Sequence, residues 1–364
     1  MDEYIHHSSG HGRQECPPHP LKRWGRRFRR GPGALPRVIV PTVLLLVTLL
    51  SGCNSHGPGK EFKPPKPPPA YPASAPMAID PGLRDAAEEE VDKAFHSPTA
   101  VMRADALETM RQTRGRQEIN NILTGLGDEV VVVRFAACMA VGELRLRQAR
   151  PQVMELAYDK DPTVRVAAHY ALHCLGDKRL SHDFEVFAKS PDADVRATTA
   201  QALGLLGEPT AVRILHQMMH DPEPRVRIQT FESLWRLEDS TGLNSLVGLT
   251  LSGYPDEQMA GIIGLSVRND QRVIEHIRGS LVTDYQEVNL IAARAMGQLG
   301  SDEGYGVATL AAGSKDPRIR SLAALALGAI GRADSQPLLQ KLLNDVDANV
   351  RLAAATGILQ LKGE

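Results

Sequence analysis

The chain has 364 residues, of which 42% are apolar and only 4% aromatic, so small aliphatic side chains must fill its core, as in closely packed helices. Its formal charge of −1 hides an asymmetry: residues 1–52 carry eight Lys and Arg against three Asp and Glu, whereas residues 53–364 carry 34 against 40. The part after residue 52 is therefore acidic, which excludes the basic stripe needed to displace counterions from nucleic acid.

In chain order, the first feature is the basic cluster "LKRWGRRFRRGPGALPR" (21–37), followed by the apolar run "VIVPTVLLLVTLL" (38–50) and "SGC" ending at Cys53. A charged segment leading into a short apolar one has the layout of a secretory signal. Thirteen residues are too few to span roughly 30 Å of hydrocarbon, which takes about 20. The terminal "LSGC" resembles the lipobox of bacterial lipoproteins, which implies that Cys53 is diacylated and begins the mature chain. Residues 53–79, rich in proline, favour extended polyproline II and read as a tether. The domain reading is a lipoprotein-type signal peptide at 1–52, a tether at 53–79 and a helical array at 80–364.

From residue 103 onward the chain repeats every 31 residues: Arg103, Arg134, Arg165, Arg196, Arg227, Gln258, Asn289, Arg320 and Arg351. Residues one before, three after and seven after each of these are apolar or small almost throughout, and those offsets share one helical face. A second apolar comb of the same period marks a second helix per unit: Val91, Ile122, Val153, Phe184, Leu215, Leu246, Ile277, Ala308 and Leu339. Asp-Pro starts at Asp161, Asp221 and Asp316 and Leu-Gly stops near Asp177 and Glu208 punctuate the helices. Two amphipathic helices at a fixed short period mean a solenoid. The array starts on a lone second-type helix (80–96) and ends on a lone first-type helix (345–361), read as polar caps, and eighteen helices are implied.

The recurring "D-P-x-V-R-x-x-A-A-x-A-L-x-x-L-G-D" resembles HEAT repeats of the short type found in phycobilisome lyases. The fold expected is thus all-α, a right-handed α-solenoid of about nine HEAT-like hairpins, an α-α superhelix. Deoxyhypusine hydroxylase shares these repeats, and its di-iron centre uses His-Glu dipeptides; this chain has none, and His169 is followed by Tyr170. That activity is rejected on the missing ligands, and a cytosolic chromophore lyase fits poorly with a secretion leader.

Two histidine pairs, His169 with His173 and His216 with His220, have the i, i+4 spacing of metal ligands. His169 falls in a column otherwise filled by Leu107, Cys138, Ala200, Phe231, Ile262 and alanines, so it reads as a core residue; His216 and His220 read as partly solvated. Cys138 and Cys174 sit in apolar helical surroundings, where free cysteine behaves as a small hydrophobe. The arginine column reads as a structural ladder, each guanidinium reaching an acidic or capping group in the neighbouring repeat. No phosphate loop, nucleophile elbow or triad spacing stands out, so no catalytic residue, metal or cofactor is assigned.

The resemblance implies a binding face built from second-type helices. On those helices, two positions either side of the apolar comb point away from the core and give His182, Arg213, Asn244 and Glu275 in one row, and Glu155, Gln217 and Lys341 in another. The expected function is a monomeric scaffold, lipid-anchored in the bacterial cell envelope, that binds a protein partner and no nucleic acid along its concave face. The alternatives are an enzyme or cofactor handler using the histidines, and a purely structural envelope spacer. A compliant seam is expected at 253–300, where Gln258 and Asn289 interrupt the ladder, Gly253, Gly261 and Gly264 loosen the backbone, and a partner docks beside Trp235 and Tyr254.

Overall fold

A computed structural model describes residues 78–178 and 182–361, so the signal peptide, Cys53 and the tether up to residue 77 lie outside the described residues. The described residues hold eighteen α-helices and no strand. The helices bearing the ladder are α2 (Ala100–Thr113), α4 (Val131–Leu144), α6 (Pro162–Cys174), α8 (Ala193–Leu206), α10 (Pro224–Arg236), α12 (Pro255–Ser266), α14 (Gln286–Gln298), α16 (Pro317–Ile330) and α18 (Ala348–Gln360). The other set comprises α1 (Pro81–Phe95), α3 (Ile119–Leu126), α5 (Arg150–Leu156), α7 (Asp183–Phe187), α9 (Ala211–Met218), α11 (Ser240–Thr250), α13 (Ile274–Arg278), α15 (Tyr305–Ala311) and α17 (Gln336–Leu343).

Most start and stop signals work as their chemistry requires, but Asp221 does not open a helix: the helix there begins at Pro224 after Glu223, and Asp221 instead accepts from Arg196 and from the Glu223 N–H. Asp161, Asp192, Asp316 and Asp347 each accept a hydrogen bond from the second backbone N–H of the helix they open. Gly207 and Gly331 end α8 and α16 at φ 70° and 74°, a left-handed conformation that costs glycine nothing. Every member of the second comb, from Val91 to Leu339, is buried.

The two helix sets differ in how they are covered. Helices of the ladder set are buried on nearly every side; their partners bury one stripe and leave the rest in water. The ladder helices therefore form the inner layer and the second-type helices the outer one. This corrects the placement of a concave face on the second-type helices, because the apolar comb is common to both sets and only the opposite side of each helix separates inside from outside.

The ends of the array meet. Helix α18 packs on α1 and α2, Arg351 Nε donates to Glu90 Oε1 at 2.7 Å, and the Thr109 and Thr356 hydroxyls lie 2.9 Å apart. Gln360 Nε2 donates to Gln112 Oε1 at 3.2 Å, and the Asp80 N–H donates to Gln336 Oε1 at 3.1 Å. The first and last helices thus complete each other as one more hairpin, and the array closes into a ring. They are not solvated caps: the acidic face of α1 supplies Glu90 to Arg351 and Asp92 to Arg114.

Candidate functional site

The ladder arginines are structural staples wherever their partners exist. Nε and Nη2 of Arg134 donate to both oxygens of Asp159 at 2.8 and 2.9 Å, and Nη1 donates to the carbonyls of Asp128 and Glu129. The same forked grip joins Arg103 to Asp128, Arg196 to Asp221 and Arg320 to Asp345. In return each aspartate caps its own turn, as Asp128 does by accepting the Val130 N–H. Burial alone would raise these carboxyls, but the guanidinium and the backbone N–H hold Asp128, Asp159 and Asp221 below the usual carboxylate range. Opposite Arg165, Arg227, Gln258 and Asn289 stand Ser190, Ser252, Thr283 and Ser314, which keep the turn and offer no carboxylate.

Gln258 and Asn289 still satisfy the local carbonyls, of Ser252 at 2.6 Å and Thr283 at 3.1 Å. Gly261 and Gly264 do not loosen the seam. A Cβ on Gly261 would sit 2.7 Å from the Leu246 carbonyl oxygen, and one on Gly264 would sit 2.4 Å from the Leu246 side chain, so both glycines permit tight packing of α12 on α11. Trp235 is also no docking platform. It is 4% exposed, its Nε1 donates to the Leu265 carbonyl, and Arg268 lies over its ring. Tyr254 is 45% exposed and stays available.

The residues expected to face away from the core do so: Glu155, His182, Arg213, Gln217, Asn244, Glu275 and Lys341 are all exposed, on the outer layer of the ring. Arg213 pairs with Glu185 at 2.6 Å. The histidines do not converge. His169 is buried edge-on to Phe187, with burial pushing its pKa down against nearby Asp183. His173 is buried near Glu208, and His216 bonds Asp239 at 2.9 Å at the surface. No group of three or more metal-ligating side chains occurs among the described residues. Cys138 and Cys174 are free thiols.

A column unforeseen from the sequence lies five residues past each ladder position: Glu108, Met139, Tyr170, Gln201, Glu232, Ile263, Arg294, Leu325 and Thr356. It lies almost opposite the core comb on each helix, two residues or about 200° beyond the offset-three column. All nine members are nonetheless buried, because that side faces the axis of the ring. Electrostatics reaches beyond neighbouring repeats as well: Glu143 interacts with Arg236 three repeats along the chain, and Arg294 with Glu108 six repeats back, which is three counted across the closing joint. Arg111 bridges Glu108 and Glu143, and Arg236 pairs with Glu232. Arg294, 9% exposed, has no hydrogen bond or ion pair to any described residue, and burial pulls its pKa down against the field of Glu108. Asp105, beside the closing joint, is pushed up to about 8 by burial and then by Glu108. The sequence did carry a signal for this column: Glu, Gln, Glu and Arg recur at one register within alanine-rich helices.

The pattern of HEAT repeats matches residues 184–266 and 274–359, within the all-α array of helical hairpins. Among solved structures, it is similar to the complex of CpcE and CpcF of phycocyanin lyase from Nostoc sp. PCC7120, at 18% identity over 70% of this chain and 98% of that one, with a TM-score of 0.41. It is also similar to human deoxyhypusine hydroxylase in complex with glycerol, at 19% identity over 69% and 98%, with a TM-score of 0.36. No curated protein sequence matches the chain.

Proposed function

We propose that this protein is a non-enzymatic scaffold, anchored through lipid on Cys53 to a bacterial envelope membrane, that holds a protein partner on the outer layer of its ring. The anchor rests on the charged and apolar leader running into "LSGC". Partner binding is supported by one observation above others: Tyr158, Val186, Leu251, Leu310 and Val346 are 62% to 95% exposed on the outer helices and the turns that follow them, beside the polar rows that include Glu155 and Lys341. Exposed apolar side chains among polar positions of the outer layer offer a protein partner points of apolar contact.

A photo-crosslinking residue placed at Gln217 or Tyr158 tests this reading in membranes. One reproducible adduct from the outer positions and none from buried Leu325 is expected; no adduct from any outer position removes the partner. Lipid labelling tests the anchor separately. Cys53→Ala should abolish fatty-acid incorporation, and a labelled variant would remove the anchor while leaving the interface open to the first test.

A further inference from the structure

A concavity of about 660 Å³ lies at three successive turns that follow the inner helices α2, α4 and α6. Its lining includes Arg116, Arg145 and Arg147 and no carboxylate, on a chain whose part after residue 52 is acidic. Nearby acids are already engaged: Glu118 with Arg114, Glu143 with Arg111, and Asp177 with Arg150. Cations are favoured at helix C-termini, and that accounts for Arg116, whose Nε donates to the Leu144 carbonyl at 3.0 Å. It does not account for Arg145 and Arg147, which are exposed and make no hydrogen bond or ion pair to any described residue.

Arg145 adds a second, independent observation. It adopts φ 52° at the turn position where Gly176, Gly207, Gly300 and Gly331 stand in other repeats and where Glu238 takes φ 64°. A non-glycine residue pays a backbone cost in that conformation; at Glu238 the side chain is held by Arg268, whereas that of Arg145 has no hydrogen bond or ion pair to any described residue. Leu146, Ile119 and Leu175 supply an apolar part to the same lining.

We infer that this concavity binds a phosphorylated small molecule, its phosphate gripped by Arg116, Arg145 and Arg147 and its organic part resting on Ile119, Leu146 and Leu175. Arginine forks match phosphate oxygens two at a time, and the volume falls within the range of small-ligand pockets, about 300–1,000 Å³. The site is distinct from the proposed partner surface, so either can fail alone.

Thermal shift and calorimetry on the full chain with inorganic pyrophosphate, at constant ionic strength, test the inference. A saturable rise in Tm is expected for the wild type, with at least tenfold weaker binding in Arg145→Gly and in Arg147→Gln and none in the double variant. Arg145→Gly should also raise the ligand-free Tm, because glycine relieves the strain while removing the charge, so lost binding is separable from lost folding. An absent pyrophosphate response in the wild type, or an undiminished one in the double variant, overturns the site. Tighter binding of a hexaglutamate peptide than of pyrophosphate, lost in the double variant, overturns the phosphate class.

Discussion

Two arcs of the ring are built on the same fold but joined differently. From Arg103 to Asp159 each ladder arginine grips an aspartate of the next repeat, whereas Arg227, Gln258 and Asn289 face serine or threonine there, and a forked pair between repeats in that arc, Arg278 with Glu303, lies on the exposed outer layer. The weak arc begins before the ladder loses its arginine: Arg227 is present, and the residue opposite it is Ser252. A staple needs both members, and serine or threonine preserves the turn while dropping the bridge. The run of ladder positions facing serine or threonine covers 227–314, a longer stretch than the 253–300 expected for the seam, and within it Glu257 still acts on Arg227.

The sharpest way to break this comparison is to cut one staple in the strong arc. Arg134→Ala strands Asp159 in a half-buried site and should cost about 3–5 kcal/mol, as broken buried pairs do. Asn289→Ala in the weak arc, which loses only local bonds to Thr283, should cost about 1 kcal/mol. Equal losses in urea denaturation would show that the staples do not set the difference.

A second prediction uses the closing joint, whose Asp105 binds its proton more tightly in the folded state. Its pKa rises from 3.8 to about 8 on folding, so the unfolded chain loses the proton first. The stability it contributes is complete below pH 3.8 and is lost as pH rises to about 8, at up to about 1.4 kcal/mol per pH unit. Asp105→Asn should flatten that slope and be the more stable protein at pH 8. An unchanged slope in the variant would remove Asp105 from the account.

Installing a staple in the weak arc sharpens the contrast from the other side. Gln258→Arg combined with Thr283→Asp recreates the pair and should add about 1 kcal/mol, near the upper end for a partly exposed pair. Hydrogen exchange across 253–300 should slow towards the protection of the strong arc. The smallest effect concerns the surface histidines. His216→Ala with His220→Ala should change stability by no more than about 0.5 kcal/mol and leave metal content untouched; bound zinc or iron lost in the variant would contradict this.

Much of this was legible in the residues. The arginine column and the two apolar combs gave the helices, their pairing and their burial, because a strict period leaves no register ambiguity. Closure was hidden, since it depends on the turn accumulated per repeat, a property of packing angles that no spacing encodes. Its one trace was the complementary pair of half-repeats at the ends, easily taken for polar caps. The inner face was misplaced because both helix sets show the same comb; the polar column containing Glu108, Gln201, Glu232 and Arg294 was the discriminating feature. Trp235 misled for the opposite reason, since a large ring beside charged residues can be covered by them, as Arg268 covers this one.

Ring closure is the central claim, and a distance measurement tests it most directly. Spin labels at residues 112 and 360, whose native amide groups lie 3.2 Å apart, should give a single narrow distance distribution below about 25 Å, allowing for two flexible label arms. An open array of nine inner helices, spaced about 9 Å apart, would separate the same sites by roughly 70 Å along its length. A short distance in the monomer supports the ring, and a long or broad one contradicts it.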